Sequence, residues 1–341
     1  MTPEILETAC EWTEHDVKDS ERWTEVLTPS EIAEIDQAIA YARSRSADFL
    51  DIDKAAFPLP TLAARLKRIE RELIEGRGFV LIRGLPRERY DNDALCLAYW
   101  GIGAHLGKPW PQNHHGHLLG DVTDQGKKPE DPGSRGNEMG QIGLDYHCDG
   151  SDLVGLLCLQ RPVSGGLSAV CNSVSLHNAL VRQHPEYAAE LYLPQPYDFR
   201  GEQRPGGRAW YTMPVFTRQD QRLFVRLISY YIHASQHHAD APRLTETALA
   251  ALKWLRREAQ GGHYSVMMDF RPGDMQFINN YHVLHGRTPY VDDPSVGAVR
   301  HLKRLWLETE LLVDRPAHFA NHRAHWGKQR VISRLDATSQ P

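Results

Sequence analysis

The chain has 341 residues, 41% of them hydrophobic and 24% charged, and a formal net charge of −5. That balance is ordinary for a globular protein and argues against a general attraction to nucleic acid or to anionic membrane surfaces. No apolar run approaches the roughly 18 residues of a membrane-crossing helix, and the start, Met1-Thr2-Pro3-Glu4, lacks the basic and apolar regions of a secretory signal. Cys10, Cys96, Cys148, Cys158 and Cys171 show no paired framework, so free thiols in a reducing cytosol are expected.

In chain order, residues 1–60 read as a helical lead-in. Thr28-Pro29-Ser30-Glu31 has the form of a capping box, and Ile32, Ile35 and Ile39 follow at helical spacing. Leu62, Leu66, Ile69 and Leu73 form an apolar stripe over 61–75, with Gly76 as the stop. The apolar run between Gly78 and Gly84 predicts a buried strand, and Asp91 to Leu106 predicts a helix ending at Gly107. Residues 108–146 carry Pro, Gly, Asn and His with little periodicity, which predicts a long functional loop insertion. Its His114, His115 and His117 read as solvent- or substrate-facing rather than as a second metal site, and Val122-Thr123-Asp124 as a short strand.

Strands are expected at 153–159 and 168–172, with a turn at 161–166 between them. Leu176 to Arg182 reads as a helix, and Pro185 suits the first turn of a second through Tyr192. Residues 194–214 are rich in Pro, Gly and Arg and predict a second flexible element over the site. Residues 223–227 are strand-like. Thr245 to Ala259 predicts a helix with Leu249, Leu252 and Leu255 on one face. Strands at 264–270 and 275–279 flank the turn Arg271-Pro272-Gly273-Asp274. After Leu307 the chain turns polar, so 308–341 is expected as a tail, frayed at Thr338–Pro341. The expected organisation is one catalytic domain over 1–341 with its core at 76–307. Many short strands with a few outer helices suggest a β-sandwich of jelly-roll type.

The chemistry concentrates in Tyr146-His147-Cys148-Asp149. On a strand, residues i and i+2 share a face, so His147 and Asp149 can aim an imidazole and a carboxylate at one point while Cys148 points away. That is two-thirds of a two-His-one-carboxylate facial triad, the site of non-haem Fe(II) oxygenases. His285, in Asn279-Asn280-Tyr281-His282-Val283-Leu284-His285, is the candidate third ligand. Arg300 and Arg304, at i and i+4 of a strand-like run, also share a face, about 13 Å apart along it, and an arginine fork suits a carboxylate.

In this order and spacing the sequence resembles the Fe(II)/2-oxoglutarate dioxygenases of the taurine dioxygenase (TauD/TfdA) family, clavaminate-synthase-like in the wider sense, over roughly Gly76 to Leu307. The resemblance implies a mixed α/β, mainly β fold: a distorted double-stranded β-helix (jelly roll) with surrounding helices. It implies Fe(II) on His147, Asp149 and His285, with 2-oxoglutarate and O2 as cosubstrates. Gly165-Gly166-Leu167-Ser168 matches the family's Gly-Gly-Asp-Thr, with Leu167 in place of the acidic residue, and makes Ser168 a 2-oxoglutarate contact. Arg300 matches the arginine that grips the far carboxylate of 2-oxoglutarate. Arg304 matches one that in some members meets an acidic group of the primary substrate. Read from the residues, it either does so, with Gln141, Tyr146 and the 108–140 loop closing over the rest, or pairs with a protein carboxylate or assists Arg300. The implied activity is hydroxylation or desaturation of a C–H bond in a small, acidic or amino-acid-like substrate, releasing succinate and CO2.

Three other readings keep the same residues: a zinc hydrolase, a non-catalytic 2-oxoglutarate sensor, and a two-His-one-carboxylate oxygenase that does not consume 2-oxoglutarate. The Ser168, Arg300 and Arg304 pattern speaks against the first, the intact ligand set against the second and Arg300 against the last. A small-molecule partner is expected and a nucleic-acid or membrane partner is not; a homo-oligomer stays open.

Overall fold

Apolar residues on both faces of a strand require cover on both faces, and the strand His301–Glu308 has it. Leu305 and Leu307 enter a large core beneath the helices, whereas Leu302 and Trp306 enter a smaller core on the opposite side. The computed structural model describes residues 3–46, 48–131, 133–321 and 331–332. This strand lies within an eight-stranded sheet. Its order is Thr24–Val26, Phe79–Arg83, Met275–Asn279, Leu153–Gln160, His301–Glu308, His117–Val122 and Val331–Ile332, with Lys108–Pro109 also paired to His301–Glu308. A four-stranded sheet, ordered Ser265–Met268, Ser168–Asn172, Val283–Arg287 and Leu144–His147, packs on it through Val170, Met268 and Val283. The architecture is a distorted double-stranded β-helix with helices outside both sheets.

Local signals explain the outer helices. Thr28 and Glu31 form the reciprocal capping box that opens Pro29–Arg45. Buried Glu34 accepts from the backbone N–H groups of Thr61 and Leu62 at 2.6 and 2.9 Å, satisfying donors at the start of Leu62–Glu75. Asp91 caps Asn92–Leu106 through the Ala94 N–H. On the far side, Ser173–Gln183 and Glu246–Gln260 cover the four-stranded sheet, and Cys171 and Leu284 pack among their apolar residues.

Several elements depart from the expectations. The 173–183 helix begins at Ser173, ahead of Leu176, because Asn172 caps it by accepting from Ser175 N–H. Leu249 is 42% exposed, and the buried stripe of its helix runs through Ala248, Ala251, Leu252, Leu255 and Ala259. Steps of three residues each fall about 60° short of a turn, so Leu249 rotates off the face that holds Leu255. The short strand is His117–Val122 rather than 122–124. Residues 194–214 carry regular structure: Pro194–Asp198 and Trp210–Pro214 pair as an antiparallel hairpin. Its prolines are tolerated because this two-stranded ribbon leaves outer edges unpaired. Phe216–Gln219 and the helix Ser229–Ala234 had no legible signal.

The segment after Leu307 is not merely a polar tail. Arg315 pairs with the fully buried Asp152, and Phe319 packs against Phe224 and Tyr281. Thr338–Pro341 lie outside the described residues. All five cysteines are buried. Among the described residues no helix is long and apolar enough to cross a membrane.

Candidate active site

His147 ends the strand Leu144–His147 and stands directly across the ladder from His285 in Val283–Arg287. Opposed positions in an antiparallel pair lie about 5 Å apart at Cβ, and the two imidazole centroids are 4.3 Å apart. Asp149 follows the strand by two residues. Ligand atoms of His147, Asp149 and His285 all lie within 4.8 Å of one another, and no other such group of three occurs among the described residues. Cys148 points away: it is fully buried in the large core, its sulfur 3.0 Å from the Leu227 N–H.

The surroundings set the protonation of these groups. His147 Nδ1 lies 2.8 Å from the Asp145 carbonyl, which fixes the proton there and leaves Nε2 for the site. Burial and the neighbouring His285 lower the His147 pKa to about 4, so it is neutral at pH 7. Burial alone would raise the Asp149 pKa, but Arg304 and the two histidines outweigh it and hold the carboxyl well below its usual range. Asp149 is also fixed at its backbone. Its N–H donates to Asn280 Oδ1 at 2.7 Å, and its carbonyl accepts from Asn280 Nδ2 at 2.9 Å and from Arg226 Nη1 at 2.6 Å. Its Oδ2 accepts from Arg304 Nη1 at 3.0 Å and from Trp306 Nε1 at 2.9 Å.

These residues line a cavity of about 390 Å³ between the two sheets, together with Ser168, Arg287 and Arg300. Arg300, Leu302, Arg304 and Trp306 all line it, so Arg300 and Arg304 do share a wall, although Arg300 precedes the strand and the register shifts between His301 and Leu302. Ser168 is buried and donates to Gln276 Oε1 at 3.1 Å. Arg300 is buried with its Nη1 unpartnered, and burial, with Arg287 beside it, lowers its pKa to about 10.

The model of the taurine catabolism dioxygenase TauD, TfdA family matches residues 45–306. The chain belongs to the TauD/TfdA family. It is 29% identical to FR-33289 synthase of Streptomyces rubellomurinus over 322 residues, 93% of each chain. Two solved structures of 19% identity share the fold, each with a TM-score of 0.65. One is an asparagine oxygenase in complex with Fe(II), 3-hydroxyasparagine and succinate, over 84% of this chain and 94% of that one. The other is the non-haem iron oxygenase OrfP in complex with Fe and alpha-ketoglutaric acid, over 90% and 99%.

The chain is accordingly an Fe(II)/2-oxoglutarate-dependent dioxygenase, and its residues fit that chemistry. Two imidazoles and one ionised carboxylate, gathered within 4.8 Å, are the donor set a facial triad needs. The unpartnered Arg300 nitrogen in the same cavity suits a carboxylate.

Of the residues expected on the substrate side, Tyr146 and Arg304 line the cavity and Gln141 does not. Gln141 is exposed, adopts φ 57°, and is absent from the cavity lining; the left-handed turn directs its side chain to solvent and leaves its carbonyl to accept from the Tyr290 N–H. Tyr146 touches the cavity, but its ring packs against the large core, as alternation with His147 requires. Arg304 reaches the cavity already committed to Asp149 and, through Nε at 2.8 Å, to Gln112 Oε1. Sequence reasoning missed Gln112, Arg226, Asn280 and Trp306. Each contacts Asp149 or Arg304 from a distant segment, and only Trp306, two residues past Arg304 on the same strand, carries a local signal for its side. His114, His115 and His117 lie near one another but form no three-ligand group with any described residue.

Proposed function

We propose that His147, Asp149 and His285 hold Fe(II), that Ser168 and Arg300 hold 2-oxoglutarate, and that the enzyme hydroxylates or desaturates an unactivated C–H bond of a small, acidic or amino-acid-like molecule. The observation that carries this reading is the meeting of the three ligand atoms with an unpartnered arginine on one cavity wall. When bound, iron and 2-oxoglutarate together supply O2 activation coupled to release of succinate and CO2.

The protein's own part is placement and charge. The Asp145 carbonyl keeps the His147 proton on Nδ1, so Nε2 presents a lone pair. Arg304 and Trp306 both bind Asp149 Oδ2, which keeps the carboxylate ionised and limits its rotation. Leu156, Leu302 and Val122 line the cavity and reduce water beside the reacting C–H bond. Away from the ligands the wall carries both signs, with Arg135 paired to Glu202 and with Arg226 and Asp198 nearby. Such a wall suits a zwitterion better than a neutral hydrocarbon. Arg304 also lines the cavity and can take an acidic group beside its Asp149 contact.

The test is an anaerobic titration of the protein with Fe(II) and 2-oxoglutarate, followed by air and a panel of amino acids and related acids. The expected results are a weak visible charge-transfer band and substrate-stimulated succinate release. No band, or release stimulated only by uncharged apolar compounds, would count against the assignment.

A further inference from the structure

Arg287 has no role in the reading above. It ends the strand Val283–Arg287, two residues past His285 and therefore on the same face. Its backbone stands directly opposite Ser168 in the ladder, and its side chain lines the cavity. It is 6% exposed. Nη2 donates to the carbonyls of Met139 and Ile142 at 3.0 and 2.9 Å, but Nε and Nη1 are buried and unpartnered. A guanidinium kept only to pin the 139–142 backbone would not need two further buried donors left open.

Arg300 stands beside it. Their guanidinium carbons lie 4.9 and 5.4 Å from the centroid of one ring, Tyr290, whose hydroxyl is also buried and unpartnered. The nearby carboxylate of Asp292 bonds neither guanidinium: its Oδ1 accepts the Arg300 backbone N–H at 2.8 Å and its Oδ2 has no partner. Gly166 makes room for the arrangement, since a Cβ there would sit 3.0 Å from Arg300 Cδ and Nε. Two buried cations side by side without a bonded anion are costly unless a ligand supplies one. The spacing suits a particular ligand. Two residues along a strand span about 7 Å, roughly the reach of a five-carbon chain with one end at the His285 side and the other at Arg287.

We propose that Arg287 is a second guanidinium for the far carboxylate of 2-oxoglutarate, forming with Arg300 and Tyr290 a two-cation seat that selects a dicarboxylate cosubstrate. This rests on the assignment of Arg300 to 2-oxoglutarate. Arg287 acts by binding the carboxylate and discriminates against 2-oxo acids that lack it.

The experiment is calorimetric titration of the full-length protein loaded with Zn(II), which prevents turnover, using 2-oxoglutarate and 2-oxovalerate. The second ligand keeps the five carbons and the 2-oxo acid end but lacks the far carboxylate. In Arg287→Gln the Kd for 2-oxoglutarate should rise roughly 10- to 100-fold, the usual consequence of losing a charged hydrogen bond. The Kd for 2-oxovalerate should stay within about twofold, so the preference collapses. Arg287→Lys keeps a donor for the Met139 and Ile142 carbonyls but not the fork; it should show the same selective loss, and it is scored if the Gln variant does not melt like the wild type. Equal loss of both ligands in the folded variant would make Arg287 a loop anchor, and no loss of either would remove it from the seat; both overturn the proposal. A wild type that binds no 2-oxoglutarate would instead overturn the Arg300 assignment and this inference with it.

Discussion

Arg304 Nη1 lies 3.0 Å from Asp149 Oδ2, so a residue of the strand His301–Glu308 in the large sheet holds a carboxylate that follows the strand Leu144–His147 of the four-stranded one. Trp306 adds a second donor to the same oxygen. Outer-shell partners of a metal ligand typically contribute 10- to 100-fold in affinity or activity. Trp306→Phe should therefore weaken Fe(II) binding by about tenfold while leaving 2-oxoglutarate affinity at saturating iron unchanged. Equilibrium dialysis of iron and the charge-transfer titration measure the two. Unchanged iron affinity would mean that the Trp306 contact does not support the ligand.

Arg304→Gln separates two roles of one side chain. Loss of the Asp149 contact alone should mimic Trp306→Phe. If Arg304 also meets an acidic group of the substrate, substrate affinity at saturating iron should fall in Arg304→Gln and not in Trp306→Phe, with 2-oxoglutarate affinity held in both. Equal substrate affinities in the two variants would limit Arg304 to positioning Asp149.

Asp149→Ala removes the single anionic ligand. Iron binding should fall by more than the roughly 100-fold upper range for an outer partner, and succinate release should vanish. Full activity in this variant with added Fe(II) would refute the triad.

Arg300→Ala leaves the far carboxylate short of its main cation. Removing one partner of a buried charged pair costs about 3–5 kcal/mol, so the Kd for 2-oxoglutarate should rise by orders of magnitude while iron binding persists. If Arg304→Gln shows that defect and Arg300→Ala does not, the two arginines exchange roles.

His177 predicts an acid-sensitive fold. It is fully buried, lies 2.8 Å from the Tyr192 hydroxyl, and burial lowers its pKa to about 4. The unfolded chain takes up the proton near its ordinary pKa of about 6.5. Between these values the unfolded state binds more protons, so the stability is present above about pH 6.5 and is lost as pH falls to about 4. At about 1.4 kcal/mol per pKa unit the loss is on the order of 3 kcal/mol. Denaturant melts across this window should flatten in His177→Gln; an unchanged pH profile would assign the sensitivity elsewhere.

Local chemistry was legible along the chain. Thr28 and Thr245 cap helices where the sequence placed them, because a cap involves only three or four consecutive residues. His147 and Asp149 reach the site with Cys148 in the core, and Arg300 shares a wall with Arg304, as strand period suggested, although Asp149 lies just past one strand and Arg300 just before another. What the tertiary structure decided is everything that depends on register between distant segments. Asn280 reaches Asp149 across 131 residues, and Trp306 across 157. The left-handed backbone at Gln141 turned that side chain outward, and a contact across 155 residues joined Arg304 to Asp149. Arg287 gains its place only because the ladder sets it opposite Ser168 and the fold brings Arg300 to the same tyrosine ring. Ligand type and strand period are properties of neighbours in sequence, whereas the partners that tune a ligand are fixed only when the two sheets close on each other.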